Sequence, residues 1–339
     1  MTSPLMPGVF PFGTLPDGQD VKLIILSNDL MSVGILTQGA ILQDLRIAAV
    51  PWSMTIGSDD LAPYLSDMRS AGAVIGPVIN RISGGQATLN DRVFEFERNQ
   101  DGKHTRHSGS AGTNRKLWDL TEVNDTSCTL ELSLADGEGG FPGNRAVAVR
   151  FRLLPPMTLE LRIAATTDAD TWINFANHSY WTLDGTDRID GHELWINAEK
   201  YCVADDQDLV TGEVLPVEGT GYDFRQGQVF TPGQTVKLDT NYCLAKKRRA
   251  LTEVLRLRGT KGVEMRLETT EPGLQLYDGG KLKDCGAELH ENRRLCAYAG
   301  LAIEPQGWPD APNQPHFPTT LVQAGAGYEQ INRFHFTAP

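Results

Sequence analysis

The sequence predicts an all-β fold built from antiparallel strands, and three features of the 339-residue chain point to it. Apolar and polar residues alternate with a period of two in several stretches, which is typical of half-buried strands. Helical periodicity is weak, the best short candidate being residues 59–65. The 34 glycines and 19 prolines interrupt the chain at intervals typical of strands. We therefore expect packed layers of antiparallel sheet.

The alternation predicts individual strands in order along the chain. Apolar residues recur at every second position in five segments: VFEFE at 93–97, TLELSLAD at 129–136, residues 147–153, residues 158–163 and VEMRLET at 263–269. Pro155 and Pro156 separate the third and fourth segments, as a short hairpin connection requires. Because no repeat, low-complexity linker or shift in composition marks a boundary, the sequence predicts one domain over residues 1–339.

The charge and hydropathy of the chain exclude two classes of partner. Asp and Glu number 43 against 31 Lys and Arg, and the net charge of -12 would repel a phosphate backbone, so we expect no nucleic-acid partner. The N-terminal MTSPLMPGVFPFG lacks the basic region and the continuous apolar run of a secretion signal. No later apolar run is long enough to span a bilayer, so we also expect no membrane partner.

The cysteines predict a cytoplasmic location. Their odd number leaves at least one thiol unpaired, and they show no C-x-x-C spacing, which is typical of reduced thiols in the cytoplasm. The five residues are Cys128, Cys202, Cys243, Cys285 and Cys296.

Two stretches place an ionisable residue where the alternation stops. His178 lies in FANHSYWTLDG, residues 175–185, and this stretch alone fits either a catalytic histidine or one packed at the end of a strand. Glu304 follows an apolar run and precedes a proline-rich loop in IEPQGWPDAPNQP, residues 303–315. Partial burial there would raise the pKa of the carboxyl toward the range of a general base, although a salt-bridged loop glutamate is the alternative.

Other kinds of active site find no support in the sequence. His104 and His107 in HTRHSG raise the question of a metal, but no H-E-x-x-H motif and no nearby cysteine pair accompanies them, so we expect none. No G-x-S-x-G motif indicates a serine nucleophile. No P-loop or strand-linked G-x-G-x-x-G motif indicates a nucleotide cofactor, so we expect the protein to work without cofactors.

Six segments in one order resemble the aldose 1-epimerases, the galactose mutarotase family. They are NRI at 80–82, HSG at 107–109 with Trp118 after it, NHSYWTLDG at 177–185, DTN at 239–241, TTEPGLQLY at 269–277 and EPQGWPDAPN at 304–313. The resemblance implies a large antiparallel β-sandwich of the galactose mutarotase type. It also implies an isomerase that interconverts the α and β anomers of a free aldose without metal or organic cofactor.

The resemblance also implies roles for individual residues. His178 matches the general acid of the family, and Glu304 matches the general base. The substrate-binding positions by resemblance are Arg81, His107, Asp239 and Gln306. The chain departs from the family pattern at three positions, with Trp181 for Phe, Pro305 for Thr and Ser108 for Gly. None of these removes an ionisable group, so they bear on sugar preference more than on reaction type.

The implied reaction explains why these residue types are needed. In ring opening the C1 hydroxyl loses a proton while the ring oxygen gains one. A carboxylate at Glu304 suits the first transfer and a protonated imidazole at His178 the second, so both need pKa values near the working pH. Tyr180 and Trp181 could present an apolar face to the sugar or be buried in the core.

Three other functions remain open from the sequence. Glycoside hydrolysis would pair Glu304 with Asp239 as two carboxylates, but it leaves the histidines without roles. A non-catalytic sugar-binding module would keep the groove without turnover, and the presence of both His178 and Glu304 argues against it. A sugar-phosphate epimerase would use the arginines around the histidine segment, Arg98, Arg106 and Arg115, which otherwise are solvated surface residues.

Overall fold

The protein consists mainly of β-strands. A computed structural model describes residues 5–233, 236–284 and 286–339. Strands contain 45% of the residues and helices 7%, which confirms the all-β prediction. The helices are the α-helix Ala62–Leu65 and the 3-10 helices Ser83–Gly85, Gly109–Ala111, Thr113–Arg115, Glu138–Gly140, His290–Asn292 and Ala311–Asn313. Within the described residues, no helix is long and apolar enough to cross a membrane. Cys285 lies outside the described residues.

The largest sheet has nine antiparallel strands in the described part of the chain. Their order across the sheet is Asp119–Asn124, Ser127–Leu134, Arg145–Leu154, Thr158–Thr167, Gly327–Thr337, Glu264–Thr269, Thr252–Arg258, Glu193–Ile196 and Gln228–Val229. The predicted hairpin at Pro155 and Pro156 is confirmed, since Val149 pairs with Ile163 across it. Four of the five alternating segments lie in this sheet, and the fifth forms the strand Arg92–Glu95.

A second sheet carries the polar segments that the sequence singled out. It has six described strands, in the order Tyr180–Trp181, Leu301–Gln306, Gly273–Tyr277, Asp239–Cys243, Lys200–Ala204 and Val210–Pro216. Gln275 pairs with Glu304 on one side and with Asn241 on the other. Because directly opposed residues of neighbouring strands point to the same face, these three side chains share one face of the sheet.

The remaining strands form smaller sheets near the ends of these two. A four-stranded sheet within the described residues consists of Gly8–Thr14, Asp20–Ser27, Met31–Leu36 and Ile41–Ile47. Four strand pairs complete the fold: Thr171–Trp172 with Leu321–Val322, Ala176–Asn177 with Val74–Ile75, Arg81–Ile82 with Thr105–Arg106, and Gln86–Leu89 with Arg92–Glu95.

The core lies between the nine-stranded and the six-stranded sheet. Trp181 of the smaller sheet packs on Phe334 of the larger one, with ring centroids 4.7 Å apart. The largest cluster of buried apolar side chains includes Ile303, Phe151 and, from the four-stranded sheet, Ile24. This packing of two antiparallel layers is the predicted β-sandwich. The prediction of a single domain over residues 1–339 stays a prediction.

Alternation along the six-stranded sheet separates the core from a polar face. Ile303 points into the core, and the next residue, Glu304, points to the opposite face. Leu276 and Gln275 divide in the same way on the neighbouring strand. The polar face therefore collects side chains that the core cannot accept.

Candidate active site

A cavity of about 410 Å³ opens over the polar face of the six-stranded sheet. Five of the six residues predicted for the site line it: Arg81, His107, His178, Asp239 and Glu304. They come from distant parts of the sequence, and the strand pairings described above bring them together. Gln306, the sixth, is fully buried and is not among the described residues that line the cavity.

His178 and Glu304 face each other inside this cavity. The Nε2 atom of His178 lies 3.6 Å from the Oε1 atom of Glu304, and both residues are almost completely buried. His178 lies between two short strands, and its backbone N–H donates to the carbonyl of Ala73. Its Nδ1 atom has no hydrogen-bond partner within the described residues. Ring and carboxyl can therefore both reach a ligand in the cavity.

Burial sets the protonation of this pair. It raises the pKa of Glu304 to about 8, with a further increase from Asp239 that Arg106 and Arg81 oppose. Burial and the charge of Arg106 lower the pKa of His178 to about 4, although its own backbone hydrogen bond raises it. At neutral pH both shifts favour the uncharged pair, with the carboxyl of Glu304 protonated and the imidazole of His178 neutral.

These pKa shifts favour a neutral pair over the carboxylate and protonated imidazole that the reaction is expected to use. The expected form also carries one proton, but it places two charges in a site from which water is largely excluded. Removing charges from water is costly, so burial favours the neutral form of the pair.

His107 lies beside this pair and is held by a backbone contact. Its Nδ1 atom accepts a hydrogen bond of 3.3 Å from the backbone N–H of Asn80, and its ring centroid lies 5.6 Å from that of His178. Burial, followed by the charges of Arg106, His178 and Arg81, holds the pKa of His107 well below its usual value. The neutral ring therefore carries its proton on Nε2, where it can donate to a ligand.

Arg81 and Asp239 form an ion pair at the side of the cavity. The Nη2 atom of Arg81 lies 3.3 Å from Oδ2 of Asp239, and the Nε2 atom of Gln275 donates to Oδ1 of Asp239 at 2.7 Å. Gln275 also lines the cavity. Guanidinium, carboxylate and amide together offer donors and acceptors of the kind that bind sugar hydroxyls.

Gln306 lies two residues beyond Glu304 on the same face of the strand. Both atoms of its amide group lack a hydrogen-bond partner within the described residues. Its assigned role in sugar binding stays a prediction.

A loop contact holds the strand of Glu304 against the segment of Arg81. Asp310 accepts hydrogen bonds from the backbone N–H and the hydroxyl of Ser83 at 2.9 and 2.8 Å. The amide of Asn313 donates to the same carboxylate at 2.9 Å. The PDAPN segment therefore has a structural role, because it connects the end of one site-bearing strand to the turn that follows the other.

The aromatic residues after His178 divide between the two faces of the sheet. Tyr180 lines the cavity, whereas Trp181 packs in the core against Phe334 and Phe336. Of the two alternatives left open by the sequence, Trp181 therefore takes burial in the core, whereas a sugar contact of Tyr180 stays a prediction. Neighbouring strand residues point to opposite faces, so the two rings could not share one surface.

Arg106 is the charged residue that sequence reasoning undervalued. It lines the cavity together with Arg115, whereas Arg98 donates to the carbonyl of Gly84 and is not among the described lining residues. The guanidinium of Arg106 has no ion pair within the described residues. Its position between Thr105 and His107 was the available signal, because the site histidine is its direct neighbour.

His104 stays outside the cavity lining in the described structure. Its Nδ1 atom accepts a hydrogen bond of 3.1 Å from the backbone N–H of Gly84. Among the described residues, no group of three or more His, Cys, Asp or Glu side chains is arranged to hold a metal ion. The pairing of His104 with His107 as ligands therefore finds no geometric support.

Comparisons with known proteins agree with this architecture. The family model described as aldose 1-epimerase matches residues 22–335. The galactose mutarotase of Bos taurus is 31% identical, over 96% of this chain and 97% of its own length. The aldose 1-epimerase of Escherichia coli (strain K12) is 28% identical, over 95% of this chain and 97% of its own length.

Solved structures show the same fold. An aldose epimerase homologue from C. elegans superimposes with a TM-score of 0.86 at 26% identity, covering 93% of this chain and 98% of its own. A galactose 1-epimerase from Lactobacillus acidophilus NCFM superimposes with a TM-score of 0.84 at 22% identity, covering 98% and 99%. None of these comparisons favours a sugar-binding module or a sugar-phosphate epimerase. The chain belongs to the aldose 1-epimerase family and is an enzyme of the isomerase class.

Proposed function

We propose that this isomerase interconverts the α and β anomers of a free aldose, with Glu304 and His178 as its proton-transfer pair. The observation that carries the proposal is the buried contact of 3.6 Å between the two side chains, inside a cavity lined by polar groups. One proton shared by two such groups is what ring opening requires, since one group must accept a proton while the other donates one.

The proposed reaction begins with a sugar bound over the pair. Sugar hydroxyls that donate to the carboxyl of Glu304 stabilise its ionised form and lower its pKa. The proton then resides on His178, and the site has the carboxylate and imidazolium that the reaction needs. Glu304 takes the proton of the C1 hydroxyl while His178 protonates the ring oxygen, and the bond from C1 to the ring oxygen breaks.

Reclosure repeats these transfers in reverse. The open aldehyde rotates about the bond between C1 and C2, so that the hydroxyl that formed the ring attacks the opposite face of C1. His178 takes back the proton of that hydroxyl as Glu304 returns a proton to the aldehyde oxygen. Each group ends in its starting state, and the cycle consumes no co-reactant.

The proposed sugar contacts involve groups around the pair. Arg81, Asp239 and Gln275 bind hydroxyls, and the Nε2 proton of His107 donates to a further sugar oxygen. Support comes from their positions in the cavity lining and from the Nδ1 contact that fixes the proton of His107. The ring of Tyr180 offers an apolar surface to the C–H groups of the sugar.

The relatives suggest a sugar substrate and a location. Because the similar mammalian proteins are named galactose mutarotase, we propose galactose as the first sugar to test. We also propose a cytoplasmic location, which is supported by the free thiols of the described cysteines, Cys128, Cys202, Cys243 and Cys296.

The test is direct measurement of anomer exchange. Freshly dissolved α-D-galactose is followed by polarimetry with and without the purified protein, alongside glucose, arabinose and xylose. We expect the approach to anomeric equilibrium to accelerate in proportion to protein concentration for at least one aldose. No acceleration with any of them would refute the proposed function. Hydrolysis of a chromogenic glycoside without an effect on anomer exchange would favour a glycosidase instead.

A further inference from the structure

Asp208 gathers three cations at the edge of the cavity. Its carboxylate lies 2.8 Å from the Nζ atom of Lys237, 2.6 Å from that of Lys281 and 3.4 Å from Nη2 of Arg81. Burial alone would raise the pKa of Asp208, but hydrogen bonds from Lys237 and Lys281 and the charge of Arg81 lower it to about 2. The carboxylate is therefore ionised at every working pH.

The contact with Arg81 differs from the two lysine contacts in its surroundings. The side chains of Asp208 and Arg81 are each 8% exposed, whereas those of Lys237 and Lys281 are 62% and 63% exposed. Solvent screens exposed ion pairs, so the lysines restrain the carboxylate weakly. Of the three cations, Arg81 therefore depends most on Asp208 for its position, because solvent screens the ion pair of these two buried side chains least.

The turn that carries Asp208 is built to hold it in place. The Oδ1 atom of Asp205 accepts hydrogen bonds from the backbone N–H groups of Gln207 and Leu209 at 2.9 and 3.0 Å. Asp208 itself has a φ of 60°, a left-handed conformation that Asp and Asn tolerate better than most residues. The side chain of Asp208 therefore extends from a turn whose backbone is held by hydrogen bonds to Asp205.

A second contact joins this turn to Arg81. Gln100 accepts a hydrogen bond of 3.0 Å from Nε of Arg81, and its own Nε2 donates to the carbonyl of Gln207 at 3.1 Å. The turn thus holds the guanidinium of Arg81 at two atoms. Asp208 contacts Nη2 directly, and the carbonyl of Gln207 acts on Nε through Gln100. This arrangement fixes the plane of the guanidinium as well as its position.

We infer that Asp208 is a positioning residue for sugar binding, which holds the guanidinium of Arg81 between two carboxylates and so keeps both Arg81 and Asp239 in place for the sugar. The inference rests on the proposed function, because it assumes that Arg81 and Asp239 bind sugar hydroxyls. A single Nη2 atom is shared by Asp208 and Asp239, at 3.4 and 3.3 Å. Without Asp208 the guanidinium has one carboxylate partner and turns fully toward Asp239.

Two effects then weaken sugar binding. Asp239, already paired with Arg81 at 3.3 Å, holds the guanidinium more tightly and is less able to accept a sugar hydroxyl. The guanidinium of Arg81 also loses its direct contact with the turn of residue 208 and stays connected to it through Gln100. Asp239 and Arg81 act on the pKa of Glu304 in opposite directions and only after burial, and neither effect removes a hydrogen bond of Glu304 or His178. We therefore expect the rate of the bound complex to change less than the affinity.

The test replaces Asp208 by Asn and separates KM from kcat. Asn removes the charge with little change in shape and tolerates the left-handed backbone. For Asp208→Asn we expect KM for the best aldose to rise about tenfold, the size of losing one hydrogen bond to a charged group, with kcat within about threefold of the wild type. A merely structural role would lower the melting temperature and the active fraction without raising KM.

Two further variants keep the test decisive. Asp208→Gly also accepts the left-handed backbone and removes the carboxylate, so it serves if Asp208→Asn does not fold, and it should show the same rise in KM. Asp206→Asn removes an exposed carboxylate from the same turn and should leave KM unchanged. A folded, active Asp208 variant with wild-type KM would overturn the inference, whereas an inactive wild-type protein would overturn the proposed function instead.

Discussion

The Nε2 atom of His178, which precedes the first strand of the six-stranded sheet, lies 3.6 Å from the Oε1 atom of Glu304 on the neighbouring strand Leu301–Gln306, although the two residues are more than a hundred positions apart in sequence. Burial moves their pKa values in opposite directions, to about 4 for the imidazole and about 8 for the carboxyl. Between these values the pair holds one proton. A single proton that can occupy either group suits a reaction that runs in both directions through the same two groups.

Replacing Glu304 by Gln tests the carboxyl directly. Gln keeps the shape of the protonated carboxyl and its ability to donate a hydrogen bond, but it cannot accept or release the proton. We expect kcat to fall by roughly 10² to 10⁴, the range for one positioned acid or base. Polarimetry on fresh sugar measures the loss.

The matched control is Glu218→Gln, which alters an exposed glutamate and should leave kcat unchanged. Near-wild-type mutarotation by a folded Glu304→Gln protein would contradict the mechanism. Because His178 and Glu304 act as one unit, replacing both should cost less than the product of the two single losses.

The pH dependence of kcat/KM should be bell-shaped with limbs near pH 4 and pH 8. The active free enzyme carries one proton on the pair. As pH falls through about 4, His178 gains a second proton and the pair loses its acceptor. As pH rises through about 8, Glu304 loses the only proton and the pair loses its donor. The limbs report the pair as a whole, and their assignment reverses the order expected for a resting carboxylate and imidazolium.

Initial rates from about pH 3.5 to 9.5 in buffers of constant ionic strength check this profile. An enzyme whose kcat/KM keeps rising beyond pH 9 would show that the carboxyl of Glu304 is not the resting proton donor.

Removing the charge of Arg106 should shift both limbs of the pH profile of kcat/KM to higher pH. The guanidinium lowers the pKa of both Glu304 and His178, so its loss raises both values. In Arg106→Gln the acidic and the basic limb should therefore shift in the same direction. Arg258→Gln, an exposed arginine on the nine-stranded sheet, is the control and should leave both limbs in place. Limbs that stay fixed in Arg106→Gln would show that this charge does not reach the pair.

Of the two neighbouring histidines, His107 should matter for catalysis and His104 should not. The backbone of His107 is left-handed, with a φ of 52°, and Asn tolerates this conformation. His107→Asn therefore removes the Nε2 donor without straining the backbone. We expect kcat/KM to fall about 10- to 100-fold, as for one lost hydrogen bond in a buried site. His104→Asn should retain most activity. Loss of turnover in His104→Asn with an active His107→Asn would reverse this assignment.

Chelation should leave activity intact. The proposed reaction needs only proton transfer, which the pair and the sugar supply. Protein dialysed against EDTA should therefore accelerate mutarotation as well as untreated protein does. Loss of turnover on chelation and its recovery with added zinc would contradict this, and would point back to His104 and His107 as ligands.

Much of the fold was predictable because strand alternation is a local property. The segments around Leu132, Val149 and Leu161 each form strands of the nine-stranded sheet, as their period of two predicts. The same rule separates Tyr180 from Trp181, but it does not tell which face will become the core. That depends on which sheet packs on the strand, and Phe334 comes from the far end of the chain.

The sequence named residues of the candidate site, but it did not predict their protonation. Family resemblance named His178 and Glu304, whereas their protonation depends on how completely each side chain is enclosed. The roles of Arg106 and Asp208 likewise depend on distances to groups far away in sequence. A charged residue that is exposed and one that is 8% exposed look the same in a sequence.

The sequence by itself determined the all-β class, the main hairpin of the large sheet and the residue types of the reaction, because alternation and motif order are written along the chain. Only the tertiary structure decided how burial shifts the pKa values of the pair, which arginine charges act on it, and that Asp208 shares Arg81 with Asp239. These follow from burial and from distances of a few ångströms between segments that meet only when the sheets pack, and the energy of a charge depends on both quantities.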